Sequence, residues 1–186
     1  MDEFDQLILE DLYSDFKRLE VNFQKKIKDP RASEIDMLME MYQIDANQKS
    51  SNPQFYSSQL GHKFELLVRN VAMRYCPEYA PEIHVGTKVP CDLCIGRDAI
   101  DVKYRVGFAD SGTIDKLRQN AQLLSKLGYT PVLLIFRDDN RIDTIRTAIN
   151  SGWTVYMGNE AFDYINRWTG CDILGLIFEY IQINQN

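Results

Sequence analysis

The sequence predicts an α/β domain with a mixed central sheet flanked by helices, preceded by an N-terminal helical extension. Apolar residues recur every three or four positions in several segments, which is typical of amphipathic helices. Short apolar segments lie between them, and "TPVLLIF" (130–136) is apolar almost throughout, as the buried strands of parallel sheets are. The resulting order of helix, three strands, helix, strand, helix, strand and further helices indicates a mixed sheet.

The extension is predicted to comprise residues 1–50, and the core residues 51–186. Helical spacing of apolar residues predicts a first helix from residue 2 to about residue 27, and a second helix follows with Ser33 as a candidate N-cap. The polar residues 45–54 are predicted to form a linker or long loop. Amphipathic helices pack on a core or dock onto another chain, and the pattern leaves both roles open.

The elements of the core are predicted from periodicity and from turn residues. Apolar residues at helical spacing predict helices over residues 59–76, 113–128, 141–152 and 159–182. Segments rich in β-branched and apolar residues predict strands around residues 83–89, 91–95, 99–106, 130–136 and 153–157.

The charge distribution limits how this protein can meet nucleic acid. The net charge is −6, which argues against tight, unaided binding to nucleic acid, because nonspecific affinity comes mostly from Lys and Arg that neutralise phosphates. Residues 1–50 hold 12 acidic and 7 basic side chains, whereas residues 51–186 hold 15 and 14. The core is therefore nearly neutral, and it can approach a polyanion locally.

Cysteine content and hydropathy indicate the compartment. The four cysteines are few for a disulfide scaffold of this length, so we expect reduced thiols. The sequence has no apolar run of ~18 residues, and its N-terminus is acidic where a secretory signal is basic. We expect a cytoplasmic protein with no membrane partner.

The stretch "CDLCIGRDAIDVKYR" (91–105) offers a cysteine pair and a set of carboxylates. Side chains alternate between the faces of a strand, so Cys91 and Cys94 are predicted to face apart and to act as small buried hydrophobes rather than as metal ligands. A zinc site would need a turn at this point and two more ligands. The candidates are scattered through the chain: His62, Cys76, His84 and Cys171.

The carboxylates converge if Gly96 and Arg97 form a two-residue hairpin turn, because Asp92 then falls opposite Asp101. Opposed residues have Cβ atoms ~4.5 to 5.5 Å apart, so the two carboxylates can hold one divalent cation. Lys103 points to the same face as Asp101. A three-residue turn would shift this register by one place. The alternate residues are predicted to be core: Ile100, Val102 and Tyr104.

The segment "VPCDLCIGRDAIDVKYR" (89–105) resembles the PD-(D/E)xK nuclease superfamily, whose cleavage site combines an aspartate on one strand with an acid-x-lysine on the next. Asp92 matches the first position, Asp101 the second and Lys103 the lysine. Cys91 separates Pro90 from Asp92, where the family pattern has proline and aspartate adjacent.

This resemblance implies a restriction-endonuclease-like core and hydrolysis of phosphodiester bonds. It implies Mg²⁺, with Mn²⁺ able to substitute, bound by Asp92, Asp101 and the backbone carbonyl of Val102. Lys103 would orient or help to deprotonate the attacking water and offset charge in the transition state.

Glu65 is a further candidate, because family members often add a glutamate from the helix that precedes the motif. Glu65 lies in "GHKFELL" (61–67), on a predicted helix. A surface ion pair with Arg69 at spacing i, i+4 accounts for it equally well.

The overall pattern looks like the small subunit of a heterodimeric type IIS restriction enzyme. By that resemblance, a larger partner subunit recognises the sequence in double-stranded DNA and nicks one strand, and this chain cuts the other. The sequence carries no helix-turn-helix with a basic recognition helix, no zinc finger and no basic arm. Two alternatives remain: a standalone repair or recombination nuclease of the same superfamily, and a noncatalytic interaction module whose acids are surface charges.

Overall fold

The computed structural model of the chain describes residues 36–106 and 111–184, together with Gln6, Glu10, Tyr13 and Ser14, which are helical. The rest of the predicted first helix, and Ser33, lie outside the described residues. None of the described helices combines the length and the apolar character that crossing a bilayer demands.

The bounds of the elements are as follows. The described helices are α1 (Met37–Met41), α2 (Ala46–Ser51), α3 (Pro53–Tyr75), α4 (Ser111–Lys126), α5 (Ile142–Asn150), α6 (Asn159–Thr169) and α7 (Ile173–Asn184). The strands are β1 (Tyr79–Pro81), β2 (Leu93–Ile95), β3 (Asp98–Lys103), β4 (Thr130–Ile135) and β5 (Thr154–Met157).

The chain forms two compact units, one of Met1–Leu67 with Asp172–Asn186 and one of Val68–Cys171. In the first unit, α1 packs against α7. Its buried side chains are mostly apolar and include Leu38, Met39, Tyr42, Leu60, Phe64, Ile177 and Ile181. The predicted boundary after residue 50 stays a prediction, and a cut at that point would remove the buried residues that α1 supplies to this unit.

The prediction of a linker over residues 45–54 is wrong, because α2 and the start of α3 occupy that segment. Asp45 begins α2 with a capping box: its carboxylate accepts a 2.7 Å hydrogen bond from the Gln48 amide, and the Gln48 side chain accepts one from the Asp45 amide. Reciprocal caps of this kind satisfy the unpaired amides of the first helical turn. The polar composition of residues 45–54 therefore led to the prediction of a loop where the chain is helical.

The second unit is built on one five-stranded sheet in the order β1-β2-β3-β4-β5. The first three strands are antiparallel, and β4 runs parallel to both β3 and β5. The sheet is therefore mixed and flanked by helices, as predicted. The predicted strand over residues 83–89 is wrong: the first strand is β1, and residues 83–89 contain one isolated bridge between Val85 and Lys88 across a turn at Gly86.

Both faces of the sheet are covered, and β3 is buried from Ala99 to Val102. Side chains from α4 and α5 pack on the face of Ala99 and Asp101, in a cluster that includes Ala121, Leu124, Leu133, Ile135, Ile145 and Trp153. The opposite face meets α6, where the Tyr164 hydroxyl donates a 2.5 Å hydrogen bond to Asp98 Oδ2 and the Phe162 ring packs edge-on against Phe136. The two end residues of β3, Asp98 and Lys103, are partly exposed.

Candidate active site

The hairpin between β2 and β3 has the predicted two-residue turn. Leu93 pairs with Ile100, Cys94 with Ala99, and Ile95 with Asp98. Gly96 has a φ of 56°, which glycine adopts without the steric penalty that other residues meet. The predicted register is thus confirmed for these three pairs, and Asp92 directly precedes the first of them.

Asp92 precedes β2 and is fixed to β3 at two points. Its amide donates a 2.8 Å hydrogen bond to the carbonyl of Ile100. Its carboxylate oxygen Oδ2 accepts a 2.7 Å hydrogen bond from the amide of Val102. The backbone of β3 therefore sets the position of the Asp92 carboxylate.

Lys103 brings its ammonium group to the oxygens of the neighbouring residues. Nζ donates to Asp101 Oδ1 and also to the Val102 carbonyl at 3.3 Å, and it lies 4.0 Å from Asp92 Oδ2. The Asp101 side chain is only 12% exposed, whereas that of Lys103 is 42% exposed. Two carboxylates and one carbonyl thus surround a single positive charge at the solvent-facing end of β3.

The oxygens near Lys103, from the Asp92 and Asp101 carboxylates and the Val102 carbonyl, are the ligand type that a hard divalent cation prefers. They fit Mg²⁺ in kind, because they already converge on one cation, the Lys103 ammonium. Within the described residues, no group of three or more His, Cys, Asp or Glu side chains is arranged to hold a metal. A metal here would therefore be bound by two carboxylates, the Val102 carbonyl and groups such as water or substrate phosphate.

Glu65 lies half-buried on α3, and its role in the site stays a prediction. Arg69, the alternative partner of Glu65 in the sequence, binds Glu82, with Nη2 2.6 Å from Oε2. A backbone hydrogen bond and the Arg69 charge lower the pKa of Glu82.

The prediction that Cys91 and Cys94 face apart is wrong. Their Sγ atoms lie 3.9 Å apart, and both belong to the cluster that packs on the Ala99 face of the sheet. The reason is that β2 begins only at Leu93 and the chain bends at Asp92, so strand alternation does not extend to Cys91. The prediction that both cysteines are buried small hydrophobes is confirmed.

The two thiols share one hydrogen bond, which affects them in opposite directions. The bond lowers the pKa of Cys91, whereas it raises the pKa of Cys94 together with burial. All four cysteines of the chain are free thiols. The other proposed zinc ligands do not join the pair in a group of metal-binding side chains among the described residues.

A second cluster of charges, which the sequence analysis did not single out, follows β3 and β4. Asp139 lies between two arginines: Arg137 Nε donates to Oδ1 at 2.6 Å, and Arg105 Nε lies 3.0 Å from Oδ2. Burial of this carboxylate favours its neutral form, but the hydrogen bond from Arg137 and the charges of both arginines outweigh burial, so the pKa of Asp139 lies below its ordinary value. No signal in the sequence indicated this cluster, because Arg105 lies beyond the end of β3, where strand alternation no longer applies.

Comparison with protein families adds an independent line of evidence. The family model described as ApaLI-like restriction endonuclease matches residues 82–182, more than half of the chain. The chain belongs to this family. Its fold is accordingly restriction-endonuclease-like, and membership of the ApaLI-like family supports a nuclease that acts on DNA. No curated protein and no solved structure matches the chain.

The part of the chain that matches the ApaLI-like family contains the whole β2–β3 hairpin. Asp92, Asp101, Val102 and Lys103 therefore lie inside the match, as does the cluster around Asp139. Glu65 lies outside it.

Proposed function

We propose that this chain is a metal-dependent endodeoxyribonuclease subunit that hydrolyses one strand of double-stranded DNA in a type IIS restriction enzyme. The observation that carries the proposal is the convergence of Asp92, Asp101 and the Val102 carbonyl on the Lys103 ammonium at the end of β3. Family membership supports the nuclease class.

The residues of the site have separate roles in this proposal. Asp92, Asp101 and the Val102 carbonyl would hold Mg²⁺ or Mn²⁺. When bound, the ion would polarise the phosphate and lower the pKa of a nearby water. Asp101 is almost buried, so its carboxylate has little freedom to leave the position that β3 gives it.

Lys103 would interact with the phosphate and with the attacking water. Its ammonium is the exposed end of the site, and it can turn from Asp101 toward a substrate oxygen while its backbone remains in β3. There it would orient the water, or help to remove its proton, and stabilise negative charge that develops on the phosphate oxygens.

Sequence recognition would come from a larger partner subunit, which nicks the opposite strand. The net charge of −6 supports this division, because an acidic chain is repelled by phosphate at long range. The amphipathic pattern of residues 1–50 is compatible with a surface for such a partner.

The decisive experiment measures metal binding before it measures cutting. Titration calorimetry with Mn²⁺ should give one or two sites in the full chain, and Asp101→Asn should remove them. Asp98→Asn is the matched control, because Asp98 lies on the same strand but faces α6, where it accepts the Tyr164 hydrogen bond. Asp98→Asn should leave Mn²⁺ binding unchanged.

Strand cutting is then assayed with the chain alone and with the partner co-purified from the native host. Asp101→Asn should abolish cutting of one strand in the assembly. Unaltered Mn²⁺ binding and cutting by Asp101→Asn would remove the proposed site, whereas a wild-type chain that binds no Mn²⁺ would favour a noncatalytic module. Specific double-strand cutting by the chain alone would identify a standalone nuclease.

A further inference from the structure

The segment after β3 is held firmly in a backbone framework. The Arg137 amide donates a 3.0 Å hydrogen bond to the Tyr104 carbonyl, and the Arg141 amide donates a 3.1 Å bond to the Val106 carbonyl. The Val106 amide donates in turn to Asn140 Oδ1 at 2.8 Å. Arg105 lies between these anchored residues, so its backbone position is fixed from both sides.

The side chain of Arg105 is also oriented, but only through one of its nitrogens. Nε donates to the Asp139 carbonyl at 3.1 Å and lies 3.0 Å from Asp139 Oδ2. Nη1 and Nη2 carry four of the five guanidinium N–H donors and take no part in these contacts with Asp139. The side chain is 53% exposed, so this end of the guanidinium meets solvent.

Asp139 is itself held in place by a second arginine, Arg137. Arg137, whose side chain is only 18% exposed, donates to the other carboxylate oxygen of Asp139 and lies with its guanidinium carbon 5.8 Å from the centre of the Tyr104 ring. The chain of contacts therefore runs from the more buried Arg137 through Asp139 to the exposed Arg105. With two arginines and one aspartate, the cluster carries a net positive charge.

Arg105 also lies close to the proposed cleavage site along the chain. It follows Lys103 by two residues, and the pairing with the β4 side continues through the Tyr104 carbonyl. Two residues span at most ~7 Å even when fully extended, and here the chain bends at Tyr104. Phosphates on one strand of a duplex succeed one another every ~3.4 Å along the axis, so a residue this near to Lys103 in the chain can reach a phosphate next to the one that is cut.

We propose that Arg105 binds a backbone phosphate of the DNA next to the scissile bond, with Asp139 and Arg137 as positioning residues. This inference rests on the proposed function and names a substrate contact of the same site. A guanidinium that is fixed at Nε presents its two terminal amino groups as a planar fork, which matches two phosphate oxygens in a bidentate contact. The contact is independent of base sequence.

The test is the salt dependence of duplex binding by the full chain in EDTA, so that no strand is cut. Binding is measured by fluorescence anisotropy at about 50 to 200 mM salt on two labelled duplexes of unrelated sequence. A plot of log K against log salt has a negative slope, and Arg105→Ala should make it shallower by about 0.9, the value for one lost phosphate contact. The change should be equal on both duplexes. Arg105→Lys, which keeps the charge but loses the fork, should restore the slope but only part of the affinity.

Arg167→Ala is the matched control. Arg167 is an exposed arginine whose Nε donates to the carbonyl of an aspartate, Asp163, at 3.4 Å, but it lies on α6, on the opposite face of the sheet from Asp101. Arg167→Ala should leave the slope unchanged, although it removes the same charge as Arg105→Ala. Circular dichroism and thermal melting verify that each variant is folded; should Arg105→Ala not fold, Arg105→Gln replaces it, since its amide can still bind the Asp139 carbonyl.

An unchanged slope for Arg105→Ala or Arg105→Gln, with a wild-type chain that binds DNA, would overturn this inference alone. An equal loss for Arg167→Ala would overturn it too, because the effect would then reflect net charge. A wild-type chain that neither binds a duplex in EDTA nor cuts one with metal and partner would instead overturn the proposed function.

Discussion

The Val102 amide donates a 2.7 Å hydrogen bond to the Asp92 carboxylate, so a residue that precedes β2 is tied to the strand that carries Asp101. This bond has a structural and a functional consequence. It gives a buried amide a partner, and it sets the Asp92 carboxylate beside the Val102 carbonyl and the Lys103 ammonium. Stability and the proposed metal binding therefore involve the same side chain.

Two substitutions at Asp92 should separate these consequences. Asp92→Ala leaves the Val102 amide without its acceptor, which should destabilise the fold by about 1 to 3 kcal/mol. Asp92→Asn keeps an oxygen that can accept this bond, so it should be the more stable variant. Both should lose strand cutting, because neither supplies a charged ligand. Urea unfolding and cutting in the assembly are the measurements, and equal stabilities of the two variants would show that the hydrogen bond contributes little.

Lys103 and a divalent cation should compete for the same oxygens. Lys103→Met removes the ammonium from between Asp101 and the Val102 carbonyl while keeping a long apolar side chain. We expect Mn²⁺ to bind at least as tightly as in the wild type, because repulsion from the ammonium is absent, and we expect cutting to be lost. Calorimetry and a strand-cutting assay measure the two effects. Loss of Mn²⁺ binding would assign Lys103 to holding the carboxylates in place instead.

The buried thiol pair should be unnecessary for cutting. Replacing Cys91 and Cys94 together by Ala should lower the free energy of unfolding by about 1 to 3 kcal/mol through lost packing, and metal-dependent cutting should persist. Cys171→Ala, at a half-buried position, is the control and should be nearly neutral. Elemental analysis should find no zinc in the wild type. A stoichiometric zinc that disappears with the double substitution would establish the metal site that the sequence made improbable.

The hairpin was predictable because a single local choice, the turn at Gly96 and Arg97, fixes every pair along β2 and β3. The placement of Cys91 was not, because strand alternation applies only within the strand and the chain bends just before it. The cluster of Arg105, Arg137 and Asp139 joins residues from two loops that are brought together by the parallel pairing of β3 and β4. Periodicity in the sequence carries no information about such a contact.

Asp139 should make stability depend on pH in a defined direction. The pKa of Asp139 in the folded protein is below its ordinary value. Its contribution to the free energy of unfolding is therefore fully present above the unfolded pKa of about 3.9, and it is lost as the pH falls through the folded pKa. Asp139→Asn should therefore be less stable by about 0.2 to 1 kcal/mol from pH 5 to 7, a small effect because the side chain is largely screened by solvent. The two proteins should converge below about pH 4. Urea unfolding across this range measures the difference, and a gap that widens toward acid would contradict the assignment.

Dependence on a partner gives the sharpest test of the two-subunit proposal. An acidic chain should bind DNA weakly and without sequence preference, and it should cut one strand of a site only when the recognition subunit is present. If each subunit has its own active site, wild-type partner mixed with the Asp101→Asn chain should leave a nick in the partner's strand and the other strand whole. The matched mixture with Asp98→Asn should cut both strands. Strand-specific end labelling distinguishes these products, and loss of both cuts with Asp101→Asn would mean that the two subunits share one active site.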